Sequence, residues 1–229
     1  MKDSAQAIDV PLEGGGRVSG LELLPAGTAS ATYVLAHGAG AGMTHPFMVA
    51  AARGLAERGI ATLRFNFPAM ERKSKRVDSP AVAQAAVRCA VAEATRRLPG
   101  IPLFAGGKSF GGRMTSQAQV VAPLANVRGL AFLGFPLHPA GKPSEERAKH
   151  LDAVELPMLF LQGSRDDLAH LDLLRPVIAR LGSRARLFVL EGADHSFHVP
   201  AKSGRNDAEV LAEALDALVE WMLKLVIPA

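Results

Sequence analysis

A chain of 229 residues, 48% hydrophobic and 21% charged, can bury one substantial core, and its length calls for no second domain, so a single domain over residues 1–229 is expected. Its 26 basic and 22 acidic residues leave a net charge of +4, too small and too dispersed an excess to define a nucleic-acid-binding face. No run of about 18 apolar residues offers a membrane span, the first residues lack the apolar core of a secretory signal, and the only cysteine, Cys89, excludes an internal disulfide and a cysteine metal cluster, so a cytoplasmic protein is expected.

Two β-like pieces, Ile8 to Leu12 and Arg17 to Leu24, flank Gly14-Gly15-Gly16 and read as an opening hairpin. The nearly continuous apolar run Ala31 to Ala36 has the character of a strand buried on both faces of a parallel sheet, and it ends at His37-Gly38-Ala39-Gly40. Thr44-His45-Pro46 leads into a helix over Phe47 to Arg58, with Gly59 as the stop and with Phe47, Ala51 and Leu55 expected to face inward. Ile60 to Phe65 is the next strand. Pro68 marks the loop after it, which carries the basic run Arg72-Lys73-Ser74-Lys75-Arg76. Such a run is either a solvated loop face or a local field that attracts anionic substrates.

Ser79-Pro80 supplies an N-cap and a first helical proline for an alanine-rich helix reaching about Leu98, inside which Cys89 is expected to serve as a small buried hydrophobe. After Pro99-Gly100, the apolar run Ile101 to Ala105 enters Gly106-Gly107-Lys108-Ser109-Phe110-Gly111-Gly112, and a helix follows to about Val121. This is a G-x-S-x-G between a strand and a helix. A serine at so sharp a turn is strained with its hydroxyl pushed outward, and Gly107 and Gly111 stand two positions to either side, where a Cβ would collide. Strands are then expected at Gly129 to Phe135, Pro157 to Gln162 and Ala185 to Leu190, with helical patterns between and after them. Residues 134–157 hold only a short polar connection, so no large cap domain is expected and the site should be open. The last helix starts at Asn206 with Glu209 in a capping-box arrangement and shows Leu211, Leu215, Leu218, Met222 and Leu225 at helical spacing. Strands alternating with helices imply an α/β fold with a mainly parallel sheet and helices on both faces.

A serine hydroxyl needs a base within hydrogen-bond reach and an acid behind the base to act as a nucleophile. Gly163-Ser164-Arg165-Asp166-Asp167 and Gly192-Ala193-Asp194-His195-Ser196-Phe197-His198 each follow a strand, at the edge where open α/β sheets place their ligands. Ser109, Asp166 and His195 thus fall in the order serine, acid, base, 57 and 29 residues apart, each interval long enough for the intervening elements. No metal or cofactor is called for: the histidines are scattered, no H-E-x-x-H occurs, and the glycine runs do not match a phosphate loop.

That order and those turns resemble the α/β-hydrolase superfamily. His37-Gly38-Ala39-Gly40, His45-Pro46-Phe47-Met48, Phe65-Asn66-Phe67-Pro68 and the continuation into Arg113-Met114 are similar to the small bacterial hydrolases of the dienelactone-hydrolase-like group. That group is itself similar to the hydrolase-like domain in regulatory subunits of the nonspecific-lethal acetyltransferase complex. The resemblance implies an α/β-hydrolase fold and a serine hydrolase acting on a small-molecule acyl substrate. It further implies Ser109 as nucleophile, His195 rather than His198 or His170 as base, and Asp166 rather than Asp167 as the acid, three residues past Gly163. Backbone N–H groups of Phe110 and Ala39 would form the oxyanion hole. His37 is expected to shape its loop, Asp194 to serve the turn, and Lys108 to point away from the hydroxyl as a supporting or surface residue. Enzymes named dienelactone hydrolase carry cysteine where this chain has Ser109. A non-catalytic interaction domain that keeps the fold as a scaffold is the alternative from another functional class.

Overall fold

The computed structural model describes residues 5–226. The chain opens with an antiparallel hairpin, β1 (Gln6–Pro11) and β2 (Arg17–Leu23). Gly14, Gly15 and Gly16 turn it with φ of 83°, 101° and 82°, a left-handed passage that residues without a Cβ make at least cost. Six further strands follow: β3 (Ala31–Ala36), β4 (Ile60–Phe65), β5 (Leu103–Lys108), β6 (Val127–Leu133), β7 (Met158–Gly163) and β8 (Ala185–Leu190). Their order in one sheet is β1-β2-β4-β3-β5-β6-β7-β8. β2 is antiparallel to β4, and from β4 to β8 every neighbour is parallel, so six carboxyl ends share one edge.

Helices α1 (Pro46–Glu57), α2 (Pro68–Glu71), α3 (Pro80–Arg97), α4 (Phe110–Val121), α5 (Leu171–Leu181) and α6 (Asp207–Val226) complete the chain. α3, α4 and α5 pack on one face of the sheet and α1 and α6 on the other. β3 shows why its sequence is apolar without interruption: Val34 and Ala36 enter the first cluster, while Ala31, Tyr33 and Leu35 enter the second. The alanines of α3 bring it close to the sheet, with Ala83, Ala86, Ala90 and Ala94 buried and Cys89 among them as a buried free thiol. At α6, Asn206 Oδ1 accepts from the Glu209 N–H and Glu209 Oε2 accepts from the Asn206 N–H, both at 3.0 Å, which is the reciprocal capping box the sequence suggests.

Several local expectations are corrected. Pro68 begins the single turn of α2 rather than only a loop, since proline suits a first helical position. Phe47 does not join Ala51 and Leu55 in the core; Met48 takes that place and Phe47 is half-buried on the carboxyl edge. β5 continues through Gly106 and Gly107 to Lys108, because these glycines sit between β3 and β6: a Cβ on Gly106 would lie 1.8 Å from the Ala131 oxygen, and one on Gly107 would lie 2.2 Å from the Ala36 oxygen. The connection over residues 134–157 is less polar in effect than in composition. It forms a 3₁₀ segment, Glu146–Ala153, and buries Phe135, Leu137, Ala148, Leu151 and Val154 against α4 and α5 instead of adding a cap domain.

Candidate active site

Ser109 stands between β5 and α4 with φ 50° and ψ −115°, a backbone region that non-glycine residues occupy only under constraint. The constraint is visible on both sides. Ser109 donates its N–H to the Leu133 carbonyl at 3.2 Å, and a Cβ on Gly111 would lie 2.4 Å from the Ala36 oxygen, so the chain must turn sharply with glycine after the serine. Phe110 then opens α4, and its N–H, in the first turn, has no intrahelical acceptor.

The loops after β7 and β8 interlock. The Arg165 N–H donates to the Ala193 carbonyl at 2.9 Å, the Gly192 N–H donates to Ser164 Oγ at 2.8 Å, and a Cβ on Gly163 would come within 2.4 Å of the Ala193 oxygen. This packing brings Asp166 Oδ2 to 2.7 Å from His195 Nδ1, and His195 Nε2 to 2.8 Å from Ser109 Oγ. Asp166 is 2% exposed, while Asp167 is exposed. Besides His195, the carboxylate accepts from the Leu168 N–H at 2.7 Å and from Gln162 Nε2, and Gln162 Oε1 is fixed in turn by the Phe135 N–H at 2.9 Å. An ionised carboxylate is acceptor-only, so Nδ1 carries the hydrogen and Nε2 faces the serine as an acceptor.

The remaining sequence candidates separate cleanly. His198 is exposed and pairs with Asp207 at 3.0 Å, which raises its pKa above the usual imidazole value, and His170 caps α5. Asp194 Oδ1 accepts from the N–H groups of Ser196 and His198 at 2.7 and 3.0 Å and so builds the turn. His37 donates through Nδ1 to the Gly38 carbonyl at 2.7 Å and accepts through Nε2 from the Phe67 N–H at 3.1 Å; burial holds it below the ordinary imidazole pKa, in keeping with a neutral loop-shaping ring. Ala39 lies with Gly38, Phe47, Met48 and Leu168 around a cleft of about 390 Å³ that reaches Ser109 and His195.

Of the two roles expected for Lys108, supporting or surface, the structure gives the first. Its Nζ donates to the His195 carbonyl at 2.5 Å, and burial pushes its pKa down to about 8 against the opposing pull of Asp166 and Asp194. Sequence reasoning also passed over Gln162, whose signal was a polar side chain closing an otherwise apolar strand. Among the described residues no group of three or more histidine, cysteine or acidic side chains could hold a metal ion, and no helix is long and apolar enough to cross a membrane.

A family model described as an alpha/beta hydrolase domain matches residues 29–223, and the protein belongs to that family. Among solved structures, a dienelactone hydrolase from Anabaena variabilis superposes with a TM-score of 0.76 at 20% identity, covering 95% of this chain and 96% of that one. An α/β serine hydrolase without a lid from Xanthomonas campestris gives 0.75 at 21% identity, covering 98% and 96%. A serine hydrolase homologue from Coxiella burnetii gives 0.71 at 19% identity, covering 96% of each chain. The fold is therefore that of the α/β-hydrolases and the dienelactone-hydrolase-like group, with no large cap domain among the described residues.

Proposed function

We propose that the protein is a serine hydrolase, carboxylesterase-like, that cleaves an ester, thioester or related acyl bond of a small substrate through an acyl-enzyme. The observation that carries this reading is the unbroken line from Asp166 through His195 to Ser109, ending on a strained serine at an open cleft. A scaffold that only binds a partner has no use for a serine held at φ 50°.

In the proposed reaction Ser109 Oγ attacks the acyl carbon while its proton passes to His195 Nε2, and Asp166 stabilises the imidazolium and fixes its orientation. The oxyanion is received by the N–H groups of Phe110 and Ala39, with the positive end of the α4 dipole behind the first of them. As the carbonyl reforms, the bond to the leaving group breaks and His195 returns the proton to it. Water then repeats the attack on the acyl carbon, gives its proton to His195, and releases the acid as Ser109 recovers its hydrogen. No metal or cofactor enters this chemistry. The cleft walls supplied by Phe47, Met48 and Leu168 favour an apolar acyl or alcohol portion.

A fluorophosphonate probe tests the reading. Covalent labelling that maps to Ser109 and disappears in Ser109→Ala and in His195→Ala is expected; an unlabelled, folded protein would overturn the hydrolase reading and leave the scaffold.

A further inference from the structure

The residue immediately before the proposed nucleophile is a lysine, and its side chain runs back under the proposed base. Lys108 Nζ lies 5.6 Å from the centroid of Phe47 and 5.3 Å from that of Phe197, two rings that meet edge to face at 5.6 Å. Room for it depends on Gly134, at φ 71°: a Cβ there would lie 2.8 Å from Lys108 Nζ and 3.5 Å from His195 Cε1. Its Nζ donates to the main-chain carbonyl of His195. One side chain thus joins the backbone of the nucleophile turn to the backbone that carries the base, across 87 residues of sequence.

We propose that Lys108 is a positioning residue for His195: its ammonium, seated over Phe47 and Phe197, holds the loop after β8 at the distance where Nε2 meets Ser109 Oγ. The proposal rests on the assignment of Ser109 and His195 given above. Only the protonated form makes a charge-assisted bond to the carbonyl. The acidic groups that act on the ammonium are Asp166 from the loop after β7 and Asp194 from the loop after β8. His195 lies beside it above Gly134, and His45 borders the same cleft from the turn before α1. Loss of the proton weakens the tie to the carbonyl and ends the attraction to both carboxylates, so the site slackens as the solution becomes alkaline. Burial places that change at about pH 8 rather than at the ordinary lysine value.

The consequence for folding has the opposite sign. Between about pH 8 and 10.5 the unfolded chain keeps a proton that the folded Lys108 has released, so this group's contribution to stability rises with pH while activity falls. A lysine that merely filled space would not oppose the two.

The experiment follows the rate of Ser109 labelling by a neutral fluorophosphonate, with kcat and KM for a small neutral ester, from pH 6 to 10 in the unaltered protein and in Lys108→Met. The unaltered protein should lose reactivity along an alkaline limb centred near pH 8. Lys108→Met should lack that limb, with a plateau kcat lowered about tenfold and KM changed by less than about twofold, because an interaction that orients the base acts on turnover more than on binding. An unchanged limb or an unchanged kcat in the folded variant overturns the proposal. Should Lys108→Met fail to fold, Asp194→Asn decides: it keeps the Oδ1 acceptor of the turn but removes a charge that favours the ammonium, so the limb must move to lower pH, and a limb that stays in place overturns the proposal. Labelling of Ser109 without any alkaline limb defeats this proposal alone, whereas a Ser109 that is never labelled defeats the hydrolase reading.

Discussion

Two serine hydroxyls, one just before α4 and one within it, lie 2.8 Å from a histidine Nε2: Ser109 from His195, and Ser116 from His150. The distances are equal and the chemistry is not. Behind His195 stands the buried carboxylate of Asp166; His150 instead faces burial and the positive charge of Arg113, which together push its pKa down to about 4. Ser116 Oγ also lies 2.9 Å from the Arg113 carbonyl, a second acceptor that competes for its one hydrogen, and it is fully buried. Ser109 is in a relaxed position for neither its backbone nor its hydrogen: it borders the open cleft, and the lone pair of His195 awaits its proton. A serine–histidine contact becomes a nucleophile pair through the acid and the access, not through the distance.

The contrast breaks most sharply by mutation. Ser109→Ala should lower turnover at least about a thousandfold with the fold intact, since only oxyanion donors and binding remain. Ser116→Ala should leave kcat/KM within about twofold yet lower stability by roughly 1–3 kcal/mol, because it takes the partner from the half-buried His150 ring nitrogen. Next comes Asp166→Asn. Its amide can present a hydrogen to Nδ1 and so favour the tautomer that carries a proton on Nε2, and a loss of about a thousandfold or more in kcat is expected with KM little changed. Steady-state kinetics on a small ester, with thermal melts of each variant, check all three.

A smaller effect sharpens the comparison from the other side. The folded His150 pKa lies below the unfolded value, so on acidification from about pH 6.5 the unfolded chain takes up a proton that the fold refuses, and stability is lost progressively down to about pH 4. The expected contribution is on the order of 3 kcal/mol by pH 4. His150→Gln should therefore flatten the acid side of the stability profile measured by denaturant titration, and an unaltered slope would remove His150 as its cause.

Legibility from sequence followed the same division. The strand runs Ala31 to Ala36, Ile60 to Phe65 and Ala185 to Leu190 coincide with β3, β4 and β8: β3 and β4 are buried along their whole length, as strands packed on both faces are, while β8 at the sheet edge is marked by the turn residues that bound it. The structure brings Ser109, Asp166 and His195 together because each follows a strand end, and strand ends of a parallel sheet share an edge. The sequence places Lys108 only as turned away from the hydroxyl, with no partner, and gives Gln162 no role. Their roles depend on partners 87 and 27 residues away, His195 and Phe135, and no local period records those contacts. Phe47 was misread for a related reason: helical spacing marks a face, but near the sheet edge that face passes from core to cleft.

The smallest expected effect belongs to the basic run, which the structure sets against the Ala39 loop rather than over Ser109. Lys75 and Arg76 line a cavity of only about 30 Å³ together with Ala39, Phe67, Met70 and Phe110, too small to hold a ligand group of any size. Arg72 is already committed to the buried Asp78 at 3.1 Å, and Asp78 in turn accepts from the Ala69 N–H at 2.7 Å, so removing Arg72 would disturb α2 as well as the field. The clean variant neutralises Lys73, Lys75 and Arg76 and spares Arg72. Three exposed charges beside the cleft act on an approaching anion through solvent, over about 10 Å at roughly 0.1 M salt. For a carboxylate-bearing ester the triple variant should lose about twofold in kcat/KM at low salt and almost nothing at about 0.5 M, where screening is nearly complete. Its neutral isostere should be unaffected at either. Equal losses for both esters would assign the run a structural part in holding the Ala39 loop, and no loss for either would leave it a solvated face.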